Sequence, residues 1–178
     1  MPKVQTQGRR QKLDCDGNII VNMTVKNDDD FLSVYSTNEV PVISSEVAEF
    51  LENSTDSALP RDSFTLRIYS DCIDEAEKEE YASAIKEYYA EKYLANKNER
   101  KRNGIVITAL SILGILVLAL AFQIDHAVWS EVVDIAAWVL LWEAVDIGVF
   151  KNREKSLLSR RYKAFMSMKA EFYPLEKK

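Results

Sequence analysis

The sequence predicts an α+β cytoplasmic domain, with ββαβα as its candidate element order. A long stalk helix leads from it into a two-helix transmembrane hairpin, and a C-terminal amphipathic helix follows. Two apolar runs, alternating apolar residues upstream of them and a reversal of charge at their flanks predict this. Residues 104–124 carry no charge, and 127–150 form a second run broken only by acids. About 20 apolar residues cross a hydrocarbon core of roughly 30 Å. The mean hydropathy of -0.20 averages two unlike halves. Composition excludes a wholly soluble globular enzyme, a disordered chain and a disulfide-stapled secreted module.

Residues 1–72 read as an acidic cytoplasmic α+β region. Its first 16 residues are polar, so no signal peptide is expected. Asp16-Gly17 signals a turn, and Ile19, Val21, Met23 and Val25 then alternate with mostly polar neighbours, as in a half-buried strand. The acidic run 28–30 reads as a solvated loop and 31–35 as a further extended stretch. Ser44 or Ser45 opens a short helix with Val47, Phe50 and Leu51 on one face, and Pro60 closes that section. Phe64, Leu66 and Ile68 form the next strand, with Thr65, Arg67 and Tyr69 facing outward.

Residues 73–103 read as the stalk helix. Tyr81, Ala84, Ile85, Tyr88 and Tyr89 make an i, i+3, i+4 stripe, and early acids grade into late bases as the helix dipole favours. Then come a first span at 104–124, an outer turn at 125–127, a second span at 128–150 and a basic tail at 151–178. The tail helix is expected over 152–172, with Leu158, Tyr162, Phe165 and Met166 on one side and an end before Pro174.

Charge sets the expected topology. Residues 1–96 hold 10 Lys/Arg against 19 Asp/Glu, a balance that repels phosphate and excludes nucleic acid as a partner of that half. Lys97, Arg100, Lys101 and Arg102 precede the first apolar run, and Lys151, Arg153 and Lys155 follow the second. The positive-inside rule then puts both termini in the cytoplasm. There Cys15 and Cys72 meet a reducing environment and have no metal-ligand spacing. The glycosylation patterns at Asn22 and Asn53 are without meaning on that side.

The unusual chemistry is the set of acids in the second span. Glu131 and Asp134 fall in its first turns, within reach of headgroups. Asp146 lies about one turn from the inner end, where Arg102 or Lys101 could answer it. Glu143 lies about two turns in, opposite Thr108 in a hairpin centred near residue 125. Its carboxyl could bond across the helices, meet another protomer or line an ion or proton path. Glu143, Asp146 and Thr108 are therefore the intramembrane candidates. Trp138 and Trp142, four apart, suit a lipid-facing or packing stripe.

No metal site, cofactor motif or catalytic set is expected. His126 is the only histidine and lies at the outer turn, far from either cysteine. The Asp14-Cys15-Asp16-Gly17-Asn18 segment places its glycine too early for a calcium loop and reads as a turn. The tail, with nine Lys/Arg against three Asp/Glu in 151–178, should attract the acidic domain. Arg160, Arg161 and Lys163 are expected to dock on that domain or on the anionic inner leaflet, and competition between the two would make the tail a switch.

Three stretches, VAEFLENS at 47–54, LRIYSDCIDEAEKEEYASAIKEYY at 66–89 and LWEAVDI at 141–147, resemble a family of two-span bacterial membrane proteins without assigned activity. Its most specific element is Trp-Glu-Ala-x-Asp, here Trp142, Glu143, Ala144 and Asp146. The resemblance implies the bacterial plasma membrane and the same topology, and carries over no catalytic residue.

The expected function is a non-enzymatic, membrane-anchored binding or regulatory module acting on a cytoplasmic protein. The alternative is a small oligomeric channel or transporter whose second-span carboxylates line a cation or proton path.

Overall fold

The computed structural model describes residues 13–27, 31–37, 41–59 and 62–175. The polar N-terminus up to residue 12, the acidic run 28–30 and Pro60 lie outside the described residues. Helix and sheet are mixed, with a three-stranded parallel sheet and one long, partly apolar helix. The chain divides into two compact units, Met1–Glu91 with Arg161–Lys178, and Lys92–Arg160.

In the first unit, the chain turns at Asp14. Its carboxylate accepts the Asp16 and Asn18 amides, each at 2.9 Å, and Gly17 supplies the positive φ of 81° that the turn needs. Strand β1, Ile19–Thr24, follows with Ile19, Val21 and Met23 buried. Ser44 caps helix α1, Ser45–Ser54, by accepting the Val47 amide at 3.3 Å. Strand β2, Phe64–Tyr69, buries Phe64, Leu66 and Ile68. It lies parallel to β1, with Val21 opposite Leu66.

Helix α2, Glu75–Ala121, opens with a reciprocal cap. The Asp74 carboxylate accepts the Ala76 and Glu77 amides, and Glu77 accepts the Asp74 amide at 2.8 Å. Its aromatic stripe is buried as the spacing predicts, through Tyr81, Ala84, Ile85 and Tyr89. Gly104 does not interrupt it, so stalk and first apolar run are one helix.

The largest departure concerns the tail. Helix α4, Asn152–Met166, stops short of 172, and Lys169–Tyr173 forms strand β3, parallel to β2. The pairing sets Arg67 opposite Glu171, bonded at 3.2 Å, and stacks Tyr69 on Tyr173 at 5.6 Å. The Ser70 amide donates to the Tyr173 carbonyl at 2.9 Å. A continued helix would keep its local bonds and leave one edge of β2 open, so long-range pairing overrides local periodicity. Phe165, fully buried, stacks on Tyr89 at 4.2 Å and Phe64 at 5.2 Å. The tail is therefore part of the core, and the releasable switch expected of it is not what this packing supports.

Other differences are local. The stretch expected to extend over 31–35 makes an isolated bridge, Leu32 to Ile43, instead of a strand, so ββαβα becomes β1, α1, β2, α2 and, after the second unit, β3. Thr65 lies on the outward face yet is buried, because its hydroxyl donates to Asp14 at 2.6 Å. On α1 the buried residues are Ala48 and Leu51, while Phe50 is 40% exposed.

In the second unit, residues from 92 onward on α2 are followed by helix α3, Ala127–Asp146, a π turn over Ile147–Lys151, and the start of α4. Asn96 donates to the Lys155 carbonyl and to Ser159, both at 2.7 Å. Lys155 pairs with Glu99 at 2.6 Å, and Gly148 faces Ile107. Gly114 meets Leu141 so closely that a Cβ there would lie 2.9 Å from it. These contacts keep one antiparallel register. Among the described residues α2 alone is long and apolar enough to cross a membrane; its most apolar 18-residue window has a mean hydropathy of 2.7 and is 11% buried. Helix α3 has the length and carries Glu131, Asp134, Glu143 and Asp146. The helix α2 ends at Ala121, so the connection runs over 122–126 rather than the expected 125–127.

Two outcomes follow for stability. The Thr65 hydroxyl, aided by the Asn18 backbone and side-chain amides and opposed by desolvation, lowers the Asp14 carboxyl from 3.8 to about 2. A depressed folded value stabilises above the unfolded one, so this contribution is complete above about pH 4 and disappears as pH falls towards 2. Asp14→Asn should flatten the acid limb of a stability-against-pH curve in that window. Phe165→Ala should lower stability by about 3–5 kcal/mol in denaturant titration.

Candidate functional site

Helix α3 ends in a cluster built by the π turn. At about 100° per residue, an unbroken α-helix would set Lys151 roughly 140° round from Asp146. The π turn closes an i to i+5 bond, from the Asn152 amide to the Ile147 carbonyl, and the extra residue in that turn swings Lys151 back over the acids. Its ammonium lies 3.3 Å from Asp146 and 3.4 Å from Glu143. The three groups together carry one net negative charge.

Glu143 and Asp146 are thus brought together, and Thr108 is not with them. The Thr108 hydroxyl donates to the Gly104 carbonyl of its own helix at 3.0 Å. The register explains the miss: with Gly148 facing Ile107 and Gly114 facing Leu141, the helices are offset about one turn from a pairing centred at residue 125. Glu143 is exposed, on the face of α3 away from the buried Ala137 and Ala144. Asp146 finds Lys151 rather than Arg102 or Lys101. The sequence marks Lys151 only as a flanking base, because on an unbroken α-helix it would point away from Asp146 at i+5 and stand two turns beyond Glu143 at i+8. A π turn leaves no composition signal by which to find it.

The Trp-Glu-Ala-x-Asp element now has physical roles. Ala144 is small and buried, Glu143 and Asp146 bind Lys151, and Trp142 points outward at 67% exposure. Trp138 and Trp142 share that outer face with Ile135 and Val139.

Of the tail bases, Arg161 is tied to the first unit. Its guanidinium donates to the Glu52 carbonyl at 2.7 Å and the Thr55 hydroxyl at 3.1 Å, and approaches Asp56 at 3.5 Å. A cation at the last carbonyls of α1 also answers the negative end of its dipole. Arg160 and Lys163 are exposed. On β3, Glu171 is held below the usual carboxylate range, first by Lys169, then by Tyr173 and Arg67.

A second feature has no signature in the sequence. Where β1 ends, a cavity of about 380 Å³ opens between Met23, Val25 and Phe31 and the first turns of α1. It accounts for the exposed Phe50. Among the described residues no group of three His, Cys, Asp or Glu is placed to hold a metal ion.

No protein-family model matches the chain, and neither a curated protein nor a solved structure does. The geometry therefore carries the functional reading. Replacing Lys151 with Met should destabilise the second unit, because it leaves two neighbouring carboxylates unanswered. Glu143→Gln in the same chain should recover part of the loss, and a double-mutant cycle in detergent unfolding measures that coupling.

Proposed function

We propose that the chain is a membrane-anchored, non-enzymatic binding module, with its sheet domain on the cytoplasmic face of a bacterial plasma membrane and two helices crossing as a hairpin. One observation carries this reading. Strands β2 and β3 belong to one sheet, although the apolar stretches of α2 and α3 lie between them in sequence. Paired strands share one side of a membrane, so the intervening chain crosses an even number of times. If α2 crosses, α3 is the segment that returns.

The basic flanks support the same orientation. Arg160 and Lys163 are suited to anionic headgroups, at about 1 kcal/mol per base near the surface. Lys151, just past the end of α3, can reach towards the interface while it neutralises one of the two charges of Glu143 and Asp146. A cytoplasmic protein or a small ligand of the sheet domain is then the natural object of binding. The pore reading has one feature in its favour, the exposure of Glu143 on an outer face of α3, where a second copy could meet it.

Native Cys15 and Cys72 are both exposed, which makes labelling a direct check. In intact cells a membrane-impermeant maleimide should miss both and should label a single cysteine placed at residue 125 in a Cys15→Ser, Cys72→Ser background. Labelling of Cys15 or Cys72 without permeabilisation would overturn the orientation. Ion flux in proteoliposomes that Glu143→Gln abolishes in a folded protein would favour the pore.

A further inference from the structure

We infer that the cavity at the end of β1 is a binding site for a zwitterionic small molecule with an apolar side chain, the chemistry of a free hydrophobic amino acid. The inference rests on reading the domain as a binding module and names the class of ligand.

The floor is apolar and fixed. Met23, near the end of the chain's first strand, and Val25, just past it, line the floor, and the Val25 amide is held by the Tyr69 carbonyl at 3.0 Å. Phe31, 1% exposed, stacks on Tyr81 at 4.4 Å, and its carbonyl accepts the Ser44 amide at 2.9 Å. A floor tied to β2, α2 and the α1 cap does not need to reorganise on binding.

The wall is apolar and open. Val47 and Phe50 line it from α1, and Phe50 keeps 40% of its surface exposed although Ala48 and Leu51 of the same helix are buried. An amphipathic helix turns its large apolar residues to the core; here a phenylalanine is left at a concavity instead. A volume of about 380 Å³ falls within the range of small-molecule sites.

The rim selects the head group. Lys26, on the strand side, and Glu46, in the first turn of α1, are exposed lining residues of opposite charge on two different elements. A ligand with only an anionic or only a cationic head would meet one attraction and one repulsion. One that carries both a carboxylate and an ammonium satisfies both, while its side chain covers Phe50 and Val47.

The test uses the full-length protein in lipid nanodiscs and calorimetric titration with L-phenylalanine and L-leucine, alongside phenethylamine and 3-phenylpropionate. Phenylalanine or leucine should bind saturably, and the two single-charge analogues at least tenfold more weakly. Lys26→Gln should weaken phenylalanine about tenfold and leave phenethylamine unweakened. Glu46→Gln should weaken phenylalanine likewise and leave 3-phenylpropionate unweakened. Both substitutions are at exposed positions, and an unchanged melting temperature confirms that the variants fold. Val47→Trp, which fills the cavity, should abolish binding. Absence of saturable binding by either amino acid, equal binding of phenylalanine and its single-charge analogues, or indifference to both rim substitutions overturns the inference. The cysteine-labelling result stands apart, so a wrong ligand and a wrong topology are distinguishable.

Discussion

The rest of the structure depends on the pairing of β3 with β2. Parallel strands cannot be joined by a tight turn and need a long crossover. Here the crossover contains α2, α3 and α4 in full. Closing so long a loop is less costly than its length suggests, because the entropic penalty grows only as the logarithm, about 0.6 kcal/mol per doubling. Two sets of contacts offset it. In the first unit, Phe165 fills the space against Tyr89 and Phe64 while Arg161 grips the end of α1. In the second, Asn96, Glu99 and their partners on α4 hold the outgoing and returning helices in register.

Arg161 shows how charge and packing divide the work in this chain. The excess of acid in the first 96 residues and of base in the tail predicts attraction between them, and the guanidinium does bind there. Its closest partners are nevertheless a carbonyl and a hydroxyl, with the Asp56 carboxylate more distant and largely exposed. Among the described residues its Nε is a buried side-chain nitrogen without a hydrogen-bond partner, which is a cost. What holds the tail is then mainly the burial of Phe165 and Met168 and the ladder of β3, and long-range charge brings the parts together rather than fixing them.

Much of the first unit was legible because its signals are local. Alternation at Ile19, Val21 and Met23 and at Phe64, Leu66 and Ile68 identifies two strands, and the Tyr81 to Tyr89 stripe identifies the buried face of α2. Strand β3 was not legible, since Lys169–Tyr173 follows Phe165 and Met166 at spacings that suit a helix equally well. Only the open edge of β2 decides between them. The parallel order escaped for the same reason, as it depends on which edge the tail reaches. On α1 the expected face holds at Leu51, which is buried, and at Val47, which packs against the core, and fails at Phe50, because a cavity interrupts the burial that periodicity assumes. The partner of Glu143 was missed because the offset between α2 and α3 is set by the end of α2 at Ala121 and by the π turn, and neither is a property of side-chain spacing.

A crossing by α3 would make a physical demand that one by α2 does not. Residues 104–121 of α2 give an uncharged length of about 27 Å at 1.5 Å per residue, close to a full hydrocarbon core. On α3 the uncharged centre between Asp134 and Glu143 is only about 12 Å long. Its remaining depth has to be made tolerable by position and pairing. Glu131 and Asp134 lie within two turns of the helix start, where acids can reach water. Glu143 and Asp146 lie within two turns of its end and share Lys151. The Gly114 notch and the buried Ala137 and Ala144 add close packing against α2 that hydropathy does not register. An acid-bearing helix of this kind needs its neighbour, so if α3 crosses it does so as one half of a pair with α2 and not as an independent segment.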